Sequence, residues 1–409
     1  MHKKESFHSF ALASAICFLI VGVVPNSALA ASFQRLGHLP GGGLGSGAGA
    51  LSADGSVVVG ASDIGLLWAQ EAFRWTSGGG MVGLGHLPGG GADSSAEAVS
   101  ADGSVVVGYS DTAAAFAEAF RWTSAGGMVG LGYLPGGGAD SSAEAVSADG
   151  SVVVGYSDTA AAFAEAFRWT SGGGMVGLGH LPGGGWGSWA YAVSSDGSVI
   201  VGTSDTAAGL EAFRWTSGGG VVGLGHLVGG GIDSRALAVT PDGSVVVGYS
   251  DRGIAWAEPF RWTAGGGMLG LGHLPGGGLE SMASGVSADG SVIVGRSLTA
   301  SGNKAFIWDA LNGMRDLQDV LVNDYGLNLT GWTLLGAGGV SADGLTVVGA
   351  GGNPSGNIEA WIATLEPTIV PATKAWGLTT AVVSVLVGAA IVMLSPSHKR
   401  RVCTGSREV

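Results

Sequence analysis

Five aspartates stand at one fixed place in a repeated segment: Asp63, Asp111, Asp158, Asp205 and Asp251, each directly after a serine that ends an apolar run. Carboxylates gathered at one mouth of a ring would supply the oxygen ligands that a hard cation such as Ca2+ takes. An aspartate in a loop also caps its own turn through the backbone, and both readings are open at this point. Five histidines recur in the same fashion, His38, His86, His180, His226 and His273, with Tyr133 in the remaining place. Side chains spread one to a unit do not converge on one ion, so a packing or hydrogen-bonding role is expected of them.

Four tryptophans break the pattern and are the candidates for ligand binding. Trp186 and Trp189 lie in "GGGWGSWAYAVS", where other units carry small or polar residues, and Trp68 and Trp256 lie in the variable link that precedes an "EAFRWT"-type run. Rings exposed at such positions would stack on a sugar or anchor a protein, so a glycan or a surface protein is the expected partner. Catalytic signatures are absent: there is no HExxH, no GxSxG and no phosphate-binding loop. No catalytic residue is assigned, and a non-enzyme is expected. The alternative is a hydrolase or lyase acting on an extracellular polymer, with acids around a channel mouth moving protons. A single site of that kind needs one odd unit, and the segment from Asp319 to Trp332, with Asp319 and Asp324, is the strongest irregularity.

The elements that must position these residues are repeats. Asp-Gly pairs begin at Asp54, Asp102, Asp149, Asp196, Asp242, Asp289 and Asp343, in steps of 48, 47, 47, 46, 47 and 54 residues. A period near 47 suits a propeller blade or a helical solenoid. The glycine content and the lack of any apolar stripe of helical period favour strands. The second unit offers four: "AEAVS" (Ala96 to Ser100), "SVVVGYS" (Ser104 to Ser110), "EAFRWTS" (Glu118 to Ser124) and "MVGLGYL" (Met128 to Leu134). Gly103, in the Ala-Asp-Gly turn between the first two, is free to take the positive φ of a tight hairpin. An unmatched fourth-strand copy, "FQRLGHL" (Phe33 to Leu39), precedes the first unit, whereas the last unit lacks a fourth strand. That strand would close a ring of seven blades and remove the exposed edges, so the fold expected is all-β: a seven-bladed β-propeller closed by an N-terminal strand. An open β-solenoid is the structural alternative, but it would need a cap at each end.

Within each blade, alternation puts Phe120 and Trp122 of the third strand on one face, with equivalents at Phe73/Trp75, Phe167/Trp169, Phe213/Trp215 and Phe260/Trp262. These rings are expected to fill the space between blades, and Arg121 and its equivalents to pair with carboxylates.

The two ends are of another kind. Residues 1–30 have a basic start, an apolar run and the small-x-small triplet Ala28-Leu29-Ala30, the pattern of a signal peptide cleaved before Ala31. Residues 31–366 form the repeat domain and 367–374 a linker. Residues 375–394 carry no charge and are long enough for a transmembrane helix, and 395–409 form a basic tail expected on the cytoplasmic side. The chain is therefore expected to be exported and membrane-anchored through its C-terminal helix, with the repeat domain outside the cytoplasm, in the periplasm or at the cell surface.

Formal net charge is −13, and with the two ends set aside 29 acidic residues stand against 11 basic ones. Such a surface repels phosphate backbones, which speaks against a nucleic-acid partner. Both cysteines, Cys17 and Cys403, fall in the ends, so the repeats carry no disulfide framework and no thiolate nucleophile. No cofactor is expected other than the Ca2+ considered above.

The units "EAFRWT", "GMVGLGHLPGGG" and "AVSADGSVVVGYS", with the closing run from Leu317 to Leu365, resemble the HAF family of bacterial extracellular repeats. Here Glu, or Lys304 in the sixth unit, stands where that family's name places His before Ala-Phe. The resemblance implies a secreted or surface location and no established chemistry. The tail is similar to PEP-CTERM sorting signals, although "VPATKAWGL" (Val370 to Leu378) stands where such signals carry Pro-Glu-Pro. The reading as a whole is a structural, adhesive or ligand-binding module at the cell envelope.

Overall fold

The computed structural model describes residues 31–365 except 44, 66–68, 114–116, 139, 161–162, 230 and 254–256. The expected signal peptide, linker, membrane helix and basic tail lie outside the described residues, as do Trp68 and Trp256. Among the described residues no helix is long and apolar enough to cross a membrane.

The chain forms seven four-stranded antiparallel sheets, six of them built from strands consecutive in sequence. Blade 2 is representative, with strands Ser94–Val99, Val105–Ser110, Glu118–Thr123 and Gly127–Gly130. The seventh sheet contains Thr333–Val340, Thr346–Gly352 and Ile358–Thr364, and its outer strand is the N-terminal Ser32–Gly37. Ser32 pairs with Thr364 and Gly37 with Ala360, so the orphan strand closes the ring as its sequence predicts. First strands touch first strands from blade to blade around the ring, which makes them the innermost layer.

One set of residues packs between each pair of blades. Phe73, Phe120, Phe167, Phe213, Phe260 and Phe306 are fully buried, with fully buried Trp361 in the equivalent place in blade 7. The cluster between blades 1 and 2 joins Val57, Val59 and Ala72 to Ala96, Val106 and Phe120, with Trp122 packed against it. The fourth strand is shorter than its sequence predicts. Gly132 turns the backbone at φ 78°, and Leu134 then buries between the blades instead of extending the strand.

The arginines differ from expectation. Arg74, Arg121 and Arg261 donate through Nε to the carbonyls of Gly103, Gly150 and Gly290, the Asp-Gly glycines of the following blade, at 3.2 to 3.4 Å. A backbone carbonyl takes the place expected for a carboxylate, because the acids of those turns are already engaged. Asp102, for example, accepts from the hydroxyls of Ser100 and Ser104 and from the Ser104 amide.

The odd segment between blades 6 and 7 is a structural filler. Leu317, Val320, Leu321 and Leu329 bury with Trp361 between those blades, and Gln318 holds the Trp332 carbonyl and the Leu334 amide. Asp324 pairs with Arg315 at 3.2 Å. Asp319 and Asp324 thus belong to a packed connection, away from the channel.

Candidate functional site: the channel wall

The register of each blade sorts its loops to two faces. The Asp-Gly turns lie at one end, and the loops after the second and fourth strands lie at the other. The five aspartates end second strands on this loop face. Asp205 accepts from the amides of Gly185, Trp186 and Gly187 at 2.7 to 3.3 Å, and Asp158 accepts from Gly138 at 3.1 Å. Asp251 accepts from the Asp233 amide at 3.1 Å, while Asp63 and Asp111 donate their own amides to Gly45 and Asp93. Each is engaged with the loop that leads into its own blade. Among the described residues no group of three or more His, Cys, Asp or Glu is placed to hold a metal ion.

Trp186 stands on the rim, 72% exposed, with its ring stacked on Phe163 at 6.1 Å and 4°. Trp189 lies on the innermost strand of blade 4 (Ser188–Val193), paired in register with Thr203. It occupies the place of Ser95 in blade 2, Ser142 in blade 3 and Arg235 in blade 5, which pair with Tyr109, Tyr156 and Tyr249.

Each innermost strand then carries a bulge, and the residue left out of the pairing is one of Gly49, Glu97, Glu144, Tyr191, Leu237, Ser284 and Gly338. A bulge frees one residue from the ladder and re-aims it, here toward the axis. The same bend in every blade therefore presents a position filled by five residue types, Gly, Glu, Tyr, Leu and Ser, to one channel. Sequence reasoning missed this position. Its signal was there: in blades 2 to 5 it is the variable residue inside an otherwise constant Ala-x-Ala-Val run.

The resulting wall is lopsided. Blades 1 and 7 contribute Gly47, Gly49, Ala61, Gly336, Gly338 and Ala350, and their inner strands run so close that a Cβ on Gly338 would lie 2.7 Å from the Gly49 carbonyl. A cavity of about 530 Å³ opens at this seam, lined by Gly47, Ala61, Gln70 and Asn357. Blades 2 to 5 bring Glu97, Glu144, Tyr109, Tyr156, Tyr191, Trp189, Arg235 and Tyr249 to the opposite side.

Electrostatics on that side are strong. Burial pushes both glutamates up, and Glu144, with Glu97 as a like-charged neighbour, reaches about 7 against the 2.7 Å hydrogen bond from Ser142. Both side chains keep partial contact with channel water, yet protein crowds them on most sides. Tyr109 rises to about 12 through burial and the nearby Asp93, Glu97 and Glu144. Tyr191 also rises to about 12 through burial, although Arg235, which donates to its hydroxyl, opposes the shift. The Arg235 guanidinium stands 5.9 Å from the centroid of the Tyr249 ring. Such a wall can hold a polar ligand by charge and by aromatic contact.

No family model matches this chain, and no curated protein matches it. Among solved structures it is similar to TolB from Acinetobacter baumannii, at 18% identity over 64% of each chain with a TM-score of 0.45. It is similar to a putative TolB from Agrobacterium tumefaciens, at 16% identity over 66% of this chain and 89% of the other, TM-score 0.40. Prolyl endopeptidase structures match at 13% identity over 76% of this chain and 49% of theirs, TM-score 0.48. Likeness of this degree concerns the fold alone, and the seven-bladed architecture rests on the chain's own sheet topology.

Proposed function

We propose that this chain is an exported, membrane-anchored, non-catalytic propeller that binds its ligand at the loop-face mouth of the channel. The observation that carries the reading is the lopsided wall, with glycine and alanine on blades 1 and 7 facing carboxylate, phenol, indole and guanidinium on blades 2 to 5. A purely structural ring would have no use for such asymmetry. The HAF-like repeats and the expected C-terminal anchor support an envelope location. Ser32 and Thr364 pair at the Asp-Gly end of blade 7, so a tether following Leu365 leaves from the turn face. The loop face, with Trp186, Phe163 and the channel mouth, then points away from the membrane toward a glycan or a surface protein.

The test is a glycan and envelope-polymer array with the full chain, repeated with Tyr191→Ala and Trp189→Phe. Binding that both variants weaken supports the reading, and binding that neither changes removes the channel from it. The Glu97 and Glu144 pair also suits a second reading, the polymer hydrolase or lyase. Release of new chain ends that Glu144→Gln abolishes would establish that reading instead.

A further inference from the structure

Charges in the channel are unpaired in a particular way. Glu97 and Glu144 sit on adjacent innermost strands with hydroxyl partners only, Ser95 for Glu97 and Ser142 for Glu144. Neither is in an ion pair among the described residues. Arg235 is likewise in no ion pair among those residues; its contacts are the Tyr191 hydroxyl and the Tyr249 ring. In a chain with 31 acidic and 18 basic residues, Arg235 is half-buried at the channel wall with no carboxylate paired to it among the described residues. The two signs are kept from neutralising each other because the acids stand on blades 2 and 3 and the arginine on blade 5, with Tyr191 of blade 4 between them.

We propose that the channel mouth binds a short zwitterionic peptide, its free amine against Glu97 and Glu144 and its free carboxylate on Arg235. This rests on the channel being the binding site. A ligand with one charge would satisfy one wall and leave the other desolvated, whereas a molecule carrying both ends complements the field already present. Guanidinium is suited to the carboxylate because its planar fork can donate two parallel hydrogen bonds. The phenol of Tyr109 stands on the acids' side, on blade 2, and those of Tyr156 and Tyr191 lie on blades 3 and 4 toward Arg235, where an ammonium gains from aromatic faces. Length follows from the blades. The opposite charges stand two blades apart, and an extended residue adds ~3.3 to 3.6 Å, so a single amino acid is too short and a peptide of several residues is needed.

The experiment is calorimetric titration of the full chain with di-, tri- and tetra-alanine, and with the best of these acetylated at the amine or amidated at the carboxylate. Each blocked form is expected to bind at least about tenfold more weakly. With Glu97→Gln/Glu144→Gln, acetylation should cease to matter while amidation still does; with Arg235→Gln the pattern should reverse. Equal binding of free and blocked peptides, or no binding at any of the three lengths, overturns the proposal. Quenching of Trp189 fluorescence by an array-selected polymer, absent in Trp189→Phe, separates the two failures. Quenching without peptide binding sinks the zwitterion and leaves the channel site standing; neither signal sinks both.

Discussion

At the scale of the residue, the two channel glutamates couple folding to pH near neutrality. Burial raises both, so between their ordinary value and the raised one the folded chain holds protons that the unfolded chain has released. Stability therefore falls as pH rises from about 4.5 through about 7, the range spanned by Glu144. With one unit equivalent to ~1.4 kcal/mol and the shift discounted for channel water, the loss is of order 2 kcal/mol. The turn aspartates act in another window. Asp102 is held down to about 2, first by the Ser100 hydroxyl, so its contribution is lost only in acid as pH falls below the ordinary carboxylate range. Denaturant midpoints at pH 5 and pH 8 are expected to differ in the wild type and to draw together in Glu97→Gln/Glu144→Gln, with the variant the more stable at pH 8. An unchanged pH difference in the variant would assign the effect to other groups.

At the scale of the element, the blades repeat because a few polar contacts repeat. Glu118 Oε1 accepts from the Gly132 amide at 2.9 Å, and the same bond recurs from Glu71 to Gly85 and from Glu165 to Gly179. A Cβ on Gly130 would collide with that carboxylate. Blade 6 answers with both residues changed: Lys304 replaces the glutamate, Asp316 replaces the glycine, and the two pair at 2.6 Å. Gly130→Asp alone is expected to destabilise by about 2 kcal/mol or more, through a clash beside a like charge. Adding Glu118→Lys should recover most of it; additive losses in a double-mutant cycle would contradict the exchange. A second device joins the blades at the turn face. Amides of Ala53, Ala101, Ala148, Ser195, Ala288 and Ala342 each donate to the carbonyl of the corresponding residue one blade on, and Ala342 returns to Ala53. Pro241, with no amide hydrogen, leaves the link to Ala288 unmade. Since Pro241 shows that the position accepts proline, Ala101→Pro should remove one bond without distortion. A loss of about 0.5 to 1.5 kcal/mol in chemical denaturation is expected; a loss several times larger would mean the backbone there differs from blade 5.

At the scale of the whole molecule, ring closure was readable in the chain because a strand needs a partner, and the count of strand-like runs left an orphan before the first unit and a last unit one strand short. The channel was less readable. Repetition marks what is constant, whereas the proposed site lies at the bulged position, where a blade can differ without disturbing its packing; the bend itself is not visible before the register is known. The aspartates invite a cation reading because they recur, and each of them is engaged with the loop that leads into its own blade. Closure yields the most direct test of the architecture. Gly37 donates to Glu359 Oε1 at 3.1 Å, Arg35 pairs with the same oxygen at 3.0 Å, and Ser46 Oγ donates to the Gly37 carbonyl at 2.6 Å. Phe33 meets Trp332 edge to face with ring centroids 5.1 Å apart. Removing Ser32–Gly37 would take the Arg35 guanidinium and the Gly37 amide from Glu359, leaving Asn353 as its partner, and would remove the pairing of the outer strand of blade 7. Deletion of these six residues is expected to speed amide exchange in Ile358–Thr364 and Ser46–Leu51 while blades 3 and 4 keep their protection, since each blade packs mainly on its neighbours. The peptide SFQRLG supplied in trans should slow exchange again at those two strands. A deletion that leaves their exchange unchanged would mean that the ring holds without its N-terminal strand.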